Sequence, residues 1–113
     1  MFVERSRQAL AGIRHNLEVT GLSPRADVVA RDVFAYLRGT PAPYEVIFVA
    51  PPQWHELWQR AVTLLDGQPG WLADGALVIA QHDPAESTVL ELDRLEATDE
   101  RTYARVRFTF FRG

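Results

Sequence analysis

The segment Val49-Ala50-Pro51-Pro52-Gln53 is where this sequence comes nearest to a chemical device. Two prolines directly behind an apolar run cannot continue a strand's hydrogen-bond ladder. They set a rigid corner with its carbonyls turned outward, and a rigid set of carbonyl acceptors can grip an exocyclic amine. The plainer reading is a strand-to-helix turn, because proline is favoured at the first helical position. Trp54 adjoins the corner. It is either a platform on which a flat base stacks or, with Leu57, Trp58, Ala61 and Leu64, part of a buried helical stripe. Two carboxylates also stand at telling places. Glu4 closes the apolar run Met1-Phe2-Val3, and Asp32 follows the strand candidate Asp27-Val28-Val29-Ala30. An acid at a strand's carboxyl end can accept from both hydroxyls of a ribose or from a ring amine. Either acid can equally cap the helix that follows it.

Other chemistries are excluded by residue type. The 113 residues contain no cysteine, so disulfides, thiolate nucleophiles and Cys-ligated zinc are absent together. All 12 basic residues are arginine, which removes a Schiff-base lysine and the phosphate-loop lysine. His15, His55 and His82 have no metal-ligand spacing, so no metal site is expected. His82-Asp83 looks like half of a catalytic pair, but the chain has no Gly-x-Ser-x-Gly elbow. A formal net charge of −3 is not the basic footprint of a stand-alone nucleic-acid binder. Any RNA contact would need a local arginine patch or charge from elsewhere. No apolar run is long enough for a membrane span, and the N-terminus lacks a signal-peptide pattern. A cytoplasmic location is the resulting expectation.

The elements that would position these residues can be read from periodicity and punctuation. After the strand stub at Met1-Phe2-Val3, Ser6 caps a helix carrying Leu10, Ile13 and Leu17, which Gly21 ends. Asp32 caps a brief helix, Val33 to Leu37, closed by Gly39. The run Tyr44 to Val49 reads as a strand covered on both faces. A helix follows and ends at Gly67-Gln68-Pro69-Gly70. Trp71 to Gly75 then reads as a turn into a second buried strand, Ala76 to Ala80. Leu95 to Thr102 and Arg105 to Arg112 are strand candidates around Tyr103-Ala104. In the last, Val106, Phe108 and Phe110 share a face. Alternating strands and helices followed by a terminal antiparallel pair predict an open α/β sheet.

These segments, in this order, resemble the RsmD family of 16S rRNA (guanine-N2)-methyltransferases. The resemblance rests on Phe2-Val3-Glu4 with Arg5-Ser6-Arg7, on Leu10 through Leu17, and on Tyr44 to Val49 running into Pro51-Pro52. It continues in Gly75 to Ile79 with His82-Asp83, Arg101 to Ala104, and Phe108 to Arg112. It covers nearly the whole chain. It implies a Rossmann-like methyltransferase sheet, strand order 3-2-1-4-5-7-6, with helices on both faces and a C-terminal antiparallel pair. Residues 1–113 would then form a single domain, the C-terminal portion of a methyltransferase, lacking the first strand and helix. S-adenosylmethionine is the implied cofactor and 16S rRNA, or the small ribosomal particle, the implied partner. Glu4 with Arg5 would meet the ribose, and Asp32 with Val33 the adenine. Ala50, Pro51, Pro52 and Gln53 would form the catalytic corner that holds the guanine amine, with Trp54 on the base.

Three departures from the family accompany the match. Its glycine-rich loop would fall before Met1. Ala50 stands where the family has Asp or Asn, and Gln53 where it has an aromatic; Ala104 also replaces a usual glycine. The competing functions are a non-catalytic module that keeps the fold for RNA or protein contact, and a nucleotide-binding fragment of another α/β class. The proline corner and the aromatic terminal pair argue against the latter.

Overall fold

The computed structural model describes residues 1–51 and 56–113. The chain divides into two compact units, Met1–Thr40 and Pro41–Gly113. In the first, β1 (Phe2–Glu4) lies parallel to β2 (Val28–Ala30), with Phe2 opposite Val28 and Glu4 opposite Ala30. They are joined through α1 (Arg7–Thr20). The boundaries of α1 follow from local chemistry. Ser6 Oγ accepts from the Ala9 N–H at 3.3 Å, satisfying one orphan donor of the first turn. Leu10 and Leu17, two turns apart, are buried. Gly21 takes φ +73°, a left-handed conformation open to glycine without steric cost, and the Gly21 and Leu22 amides close onto the Glu18 and Leu17 carbonyls. Behind β2, α2 (Val33–Leu37) is capped by Asp32, whose Oδ2 accepts from the Ala35 N–H at 3.2 Å.

The second unit is a four-stranded sheet in the order β3-β4-β6-β5. Here β3 is Tyr44–Val49, β4 Leu72–His82, β5 Glu96–Tyr103 and β6 Val106–Arg112. β3 and β4 are parallel, and the other two pairings are antiparallel. α3 (Leu57–Gly67) connects β3 to β4. The pairings within the two sheets, β1-β2 and β3-β4-β6-β5, reproduce the 3-2 and 4-5-7-6 segments of the implied order. β1 and β3 belong to different sheets. Among the described residues, no helix is long and apolar enough to cross a membrane.

Four expectations are corrected by the packing. Ile47 and Val49 of β3 face the covered side, but Val46 is 60% and Phe48 54% exposed, so β3 is not covered on both faces. The buried stripe of α3 is Trp58, Ala61, Val62, Leu65 and Asp66, whereas Leu57 and Leu64 flank it, half-buried. β4 begins at Leu72 rather than Ala76. Tyr44 pairs with Leu72 and Val46 with Leu77, so two steps along β3 match five along β4, and the excess is taken up in a bulge containing Gly75 at φ +68°. Finally, the core face of β6 carries Thr109 and Phe111, while Val106, Phe108 and Phe110 lie on the half-buried face. Thr109 is inside because it is bonded to a buried histidine, His82, at 2.8 Å.

β5 is exposed along its whole length and forms the sheet's edge, where its charged side chains discourage pairing with another chain. The two-residue turn from β5 to β6 places Ala104 at φ +53°. A Cβ is disfavoured there by about 1–2 kcal/mol. Ala104→Gly is therefore expected to raise stability by about 0.5–1 kcal/mol, the remainder being offset by the greater freedom of glycine in the unfolded chain. Urea denaturation checks this, and a destabilised variant would mean that the turn is not held in that conformation.

Candidate functional site

Within the first unit, the two acids expected at a ligand site stand at the same ends of adjacent parallel strands. Glu4 is the last residue of β1, and Asp32 follows two residues after β2 ends at Ala30, opposite Glu4. Both are half-buried. Each is partly committed to backbone: Glu4 Oε1 accepts from the Arg5 and Ser6 amides at 3.1 and 3.0 Å, and Asp32 Oδ2 from the Ala35 amide. Each keeps a second oxygen with no hydrogen bond among the described residues. Capping and ligand binding are thus compatible in the same side chain, since one oxygen orients the group and the other is left unbonded among the described residues. Arg5 is exposed and Val33 half-buried.

In the second unit, β3 ends at the buried Val49, followed by exposed Ala50 and half-buried Pro51. Pro52, Gln53, Trp54 and His55 lie outside the described residues. Ala50 brings no polar side chain, so any acceptor it offers is its carbonyl. A groove of about 500 Å³ opens where the chain leaves β4 and enters α3, lined by Glu56, Gln59, Ala85, Glu86, Ser87 and Thr88, with Leu90 beside them. Both segments follow the carboxyl ends of parallel strands, the usual ligand position in open α/β sheets.

The groove wall is held by a small network. The indole Nε1 of Trp58 and the amide Nε2 of Gln59 both donate to the Glu86 carbonyl, at 3.2 and 3.3 Å. Trp58 stacks on His82, with ring centroids 4.2 Å apart and planes 10° apart. His82 Nδ1 donates to the Asp83 carbonyl at 2.9 Å, so Nε2 is the nitrogen that accepts from the Thr109 hydroxyl. His82 is thus a bonded core residue. The Asp83 carboxylate, in turn, accepts from the Ala85 amide and caps the turn Pro84–Glu86. The sequence pair His82-Asp83 is an anchor for the groove wall.

A second anchor escaped the sequence reading. Asp66, buried in the last turn of α3, accepts from the amides of Asp93, Arg94 and Leu95, each at 2.8 Å. Burial pushes its carboxyl upward, but the three amides and the Arg94 charge outweigh this and hold it below the ordinary value of 3.8. The available signal was positional. Asp66 continues the Trp58, Val62 spacing of an apolar stripe and sits at a helix C-terminus, where a negative charge is disfavoured unless partnered. Among the described residues, no group of three His, Asp or Glu side chains could hold a metal ion.

The model of the family described as conserved hypothetical protein 95 matches residues 1–112. The chain belongs to that family. Solved structures share the fold. The Escherichia coli protein yhhF, provisionally named a methyltransferase, superposes with a TM-score of 0.83 at 23% identity, over 97% of this chain and 60% of that one. A conserved hypothetical protein of Streptococcus pyogenes gives 0.86 at 20% identity, over 97% and 68%. HI0767 of Haemophilus influenzae, provisionally named a methylase, gives 0.80 at 21% identity, over 98% and 70%. This chain therefore spans 60% of the length of the Escherichia coli protein. No match to a curated protein sequence was found.

Proposed function

We propose that this chain takes part in S-adenosylmethionine-dependent methyl transfer to the exocyclic N2 of a guanine in 16S rRNA. The observation that carries this reading is the pair of acids at the ends of β1 and β2, each with one oxygen fixed by backbone and one unbonded. On this reading the second oxygen of Glu4 meets the ribose hydroxyls and that of Asp32 the adenine amine, beside Arg5 and Val33. The cofactor supplies the methyl group. The corner Ala50-Pro51-Pro52-Gln53 positions the amine, and Trp54 covers the base. Methyl transfer to an amine needs alignment above all. The rival reading, a methyltransferase-fold module without catalysis that contacts RNA or protein, is favoured by Ala50, which brings no side-chain acceptor to the corner.

The 113 residues hold no Gly-x-Gly motif, so nothing in them resembles a glycine-rich cradle for the methionine end of the cofactor. Hydrogen bonds to charged groups contribute about 1.5–3 kcal/mol each, and lacking several weakens affinity by orders of magnitude. Residues 1–113 alone are expected to bind the cofactor no better than millimolar in calorimetry. Millimolar adenosine should nevertheless shift the amide signals of residues 3–6 and 30–34. Micromolar binding of S-adenosylmethionine would sink the first expectation, and silent signals at those residues would sink the adenosine assignment.

A further inference from the structure

The stretch from Arg101 to Gly113 carries four arginines and no acid, in a chain whose net charge is −3. It is the kind of local arginine patch that RNA contact requires. Arg101 is paired with Asp99 at 3.1 Å, Arg112 donates to the Gly75 carbonyl at 3.0 Å, and both are exposed, as is Arg105. Arg107 differs from these three. It is half-buried, and two hydroxyls hold its guanidinium where a carboxylate might have stood: Nε donates to Thr102 Oγ1 at 3.0 Å and Nη1 to Ser87 Oγ at 2.8 Å. Thr102 lies opposite Arg107 in the β5–β6 ladder, and Ser87 ends the turn behind β4, so two separate segments fix the group. A guanidinium has five N–H donors. Three remain, and no ion pair or further acceptor meets them among the described residues. Each hydroxyl accepts from Arg107 and keeps its own proton to donate. The cluster therefore presents N–H and O–H donors around one uncompensated positive charge, and the planar fork of arginine matches the oxygens of a phosphate. Ser87 also lines the groove, which puts the cluster at the groove's margin. Glu56 and Glu86 line the same groove, and their charges repel a phosphate from the rest of it.

We propose that Arg107, with the hydroxyls of Ser87 and Thr102, binds a backbone phosphate of the RNA substrate at the margin of this groove. The inference rests on the RNA reading above and adds to it the contact that holds the strand. Phosphate contacts fix the position and direction of a strand and carry no base information. Arg107 thus acts on binding and placement, not on the choice of base or on the transfer step.

The test uses the intact chain and four probes: a labelled single-stranded RNA heptamer containing one guanine, the same heptamer with adenine in its place, inorganic phosphate, and an oligoglutamate peptide. In fluorescence anisotropy at low salt, Arg107→Gln should weaken RNA binding about five- to tenfold. It should also lower the slope of log Kd against log salt by about 0.7, the share of one phosphate on a single strand. Arg101→Gln removes the same charge from the opposite face of β5 and should weaken binding less than about twofold. Ser87→Ala combined with Thr102→Val leaves the charge alone but releases the guanidinium, for a loss of about two- to threefold. In nitrogen-edited NMR, RNA should shift the Arg107 Nε signal, and inorganic phosphate should shift it less. The Trp58 indole signal reports that the fold is intact in each variant. Equal losses from Arg107→Gln and Arg101→Gln would mean diffuse attraction and overturn the site. An Nε signal moved by inorganic phosphate but not by RNA would make it a free-anion site, and oligoglutamate bound as tightly as RNA would make it a protein contact; either overturns the proposal. If both heptamers bind alike and Arg107→Gln weakens both, the phosphate contact stands and the guanine reading falls. If the guanine heptamer is preferred and Arg107→Gln leaves its binding unchanged, the reverse holds. RNA that does not bind at all overturns both.

Discussion

Asp66→Ala is expected to destabilise the protein by about 3–5 kcal/mol at neutral pH, because three backbone donors lose one charged acceptor at once. The amides of Asp93, Arg94 and Leu95 converge on that carboxylate from the stretch that leads into β5, and Leu95 is itself buried. Asp66→Asn, which keeps one oxygen but turns an NH₂ group towards donors, should cost less, about 1.5–3 kcal/mol. The pH dependence has a definite sign. The folded-state carboxyl lies below its ordinary value of 3.8, so its contribution is present above that pH and is lost as pH falls through the folded value. The stability gap between the parent and Asp66→Asn should therefore be widest near neutrality and shrink below about pH 4. Urea denaturation of both proteins at pH 7 and in the acid range measures it. A gap that is the same at both pH values would mean that the carboxylate's charge has no part in holding these amides.

Trp58→Ala is expected to cost about 3–5 kcal/mol, the usual range for removing a buried large aromatic. Trp58 is 2% exposed, covers the His82 ring and holds the Glu86 carbonyl. Domains of this kind are stable by about 5–15 kcal/mol in all, so this single change removes a large share. Trp58→Phe separates the two duties of the side chain. It keeps an aromatic ring over His82 and gives up the indole N–H, for a cost of about 1 kcal/mol. Hydrogen exchange should then speed up at the Glu86 and Ser87 amides, whose bonds to Asp83 and Pro84 carbonyls shape the groove wall, while the amides of β4 and β6 stay protected. A Trp58→Ala protein melting within a degree or two of the parent would show that the ring is not the keystone of this core.

The features legible in the sequence are those decided within a few residues. Ser6, Asp32 and Gly21 announce helix ends because caps are short-range chemistry, and each performs the expected role. The strand Tyr44–Val49 and the terminal hairpin follow from composition and alternation. What alternation cannot decide is which face turns inward. Val106, Phe108 and Phe110 looked like a core face, yet Thr109 and Phe111 are buried because His82, 27 residues earlier, needs a hydroxyl partner. Strand-to-strand register of that kind is a long-range fact. The same holds for α3, where the apolar residues form a stripe broad enough to admit two placements a fraction of a turn apart. Glu4 and Asp32 were found as candidates because strand ends are marked locally. Asp66 and Gln59 were not, because the amides and the carbonyl that give them meaning lie 27 to 29 residues away.

The uncovered face of the four-stranded sheet has a consequence for how this protein looks to common reagents. Val46, Phe48 and Tyr103 are each more than half exposed, and the Phe108 ring lies 6.4 Å from that of Phe48 and 6.1 Å from that of Tyr103, centroid to centroid. A fluorogenic dye that brightens on apolar surface will bind this face while every backbone ladder is intact. A dye-based melting curve will then start bright and fall or stay flat on heating, where an ordinary folded protein starts dark. By that criterion alone the sample would be taken for a molten globule, a state properly defined by lost near-ultraviolet dichroism and unfixed side chains. Near-ultraviolet dichroism, to which the buried Trp58 stacked on His82 and the buried Trp71 stacked on Tyr44 both contribute, is the observable that tells an open but ordered sheet from a disordered one.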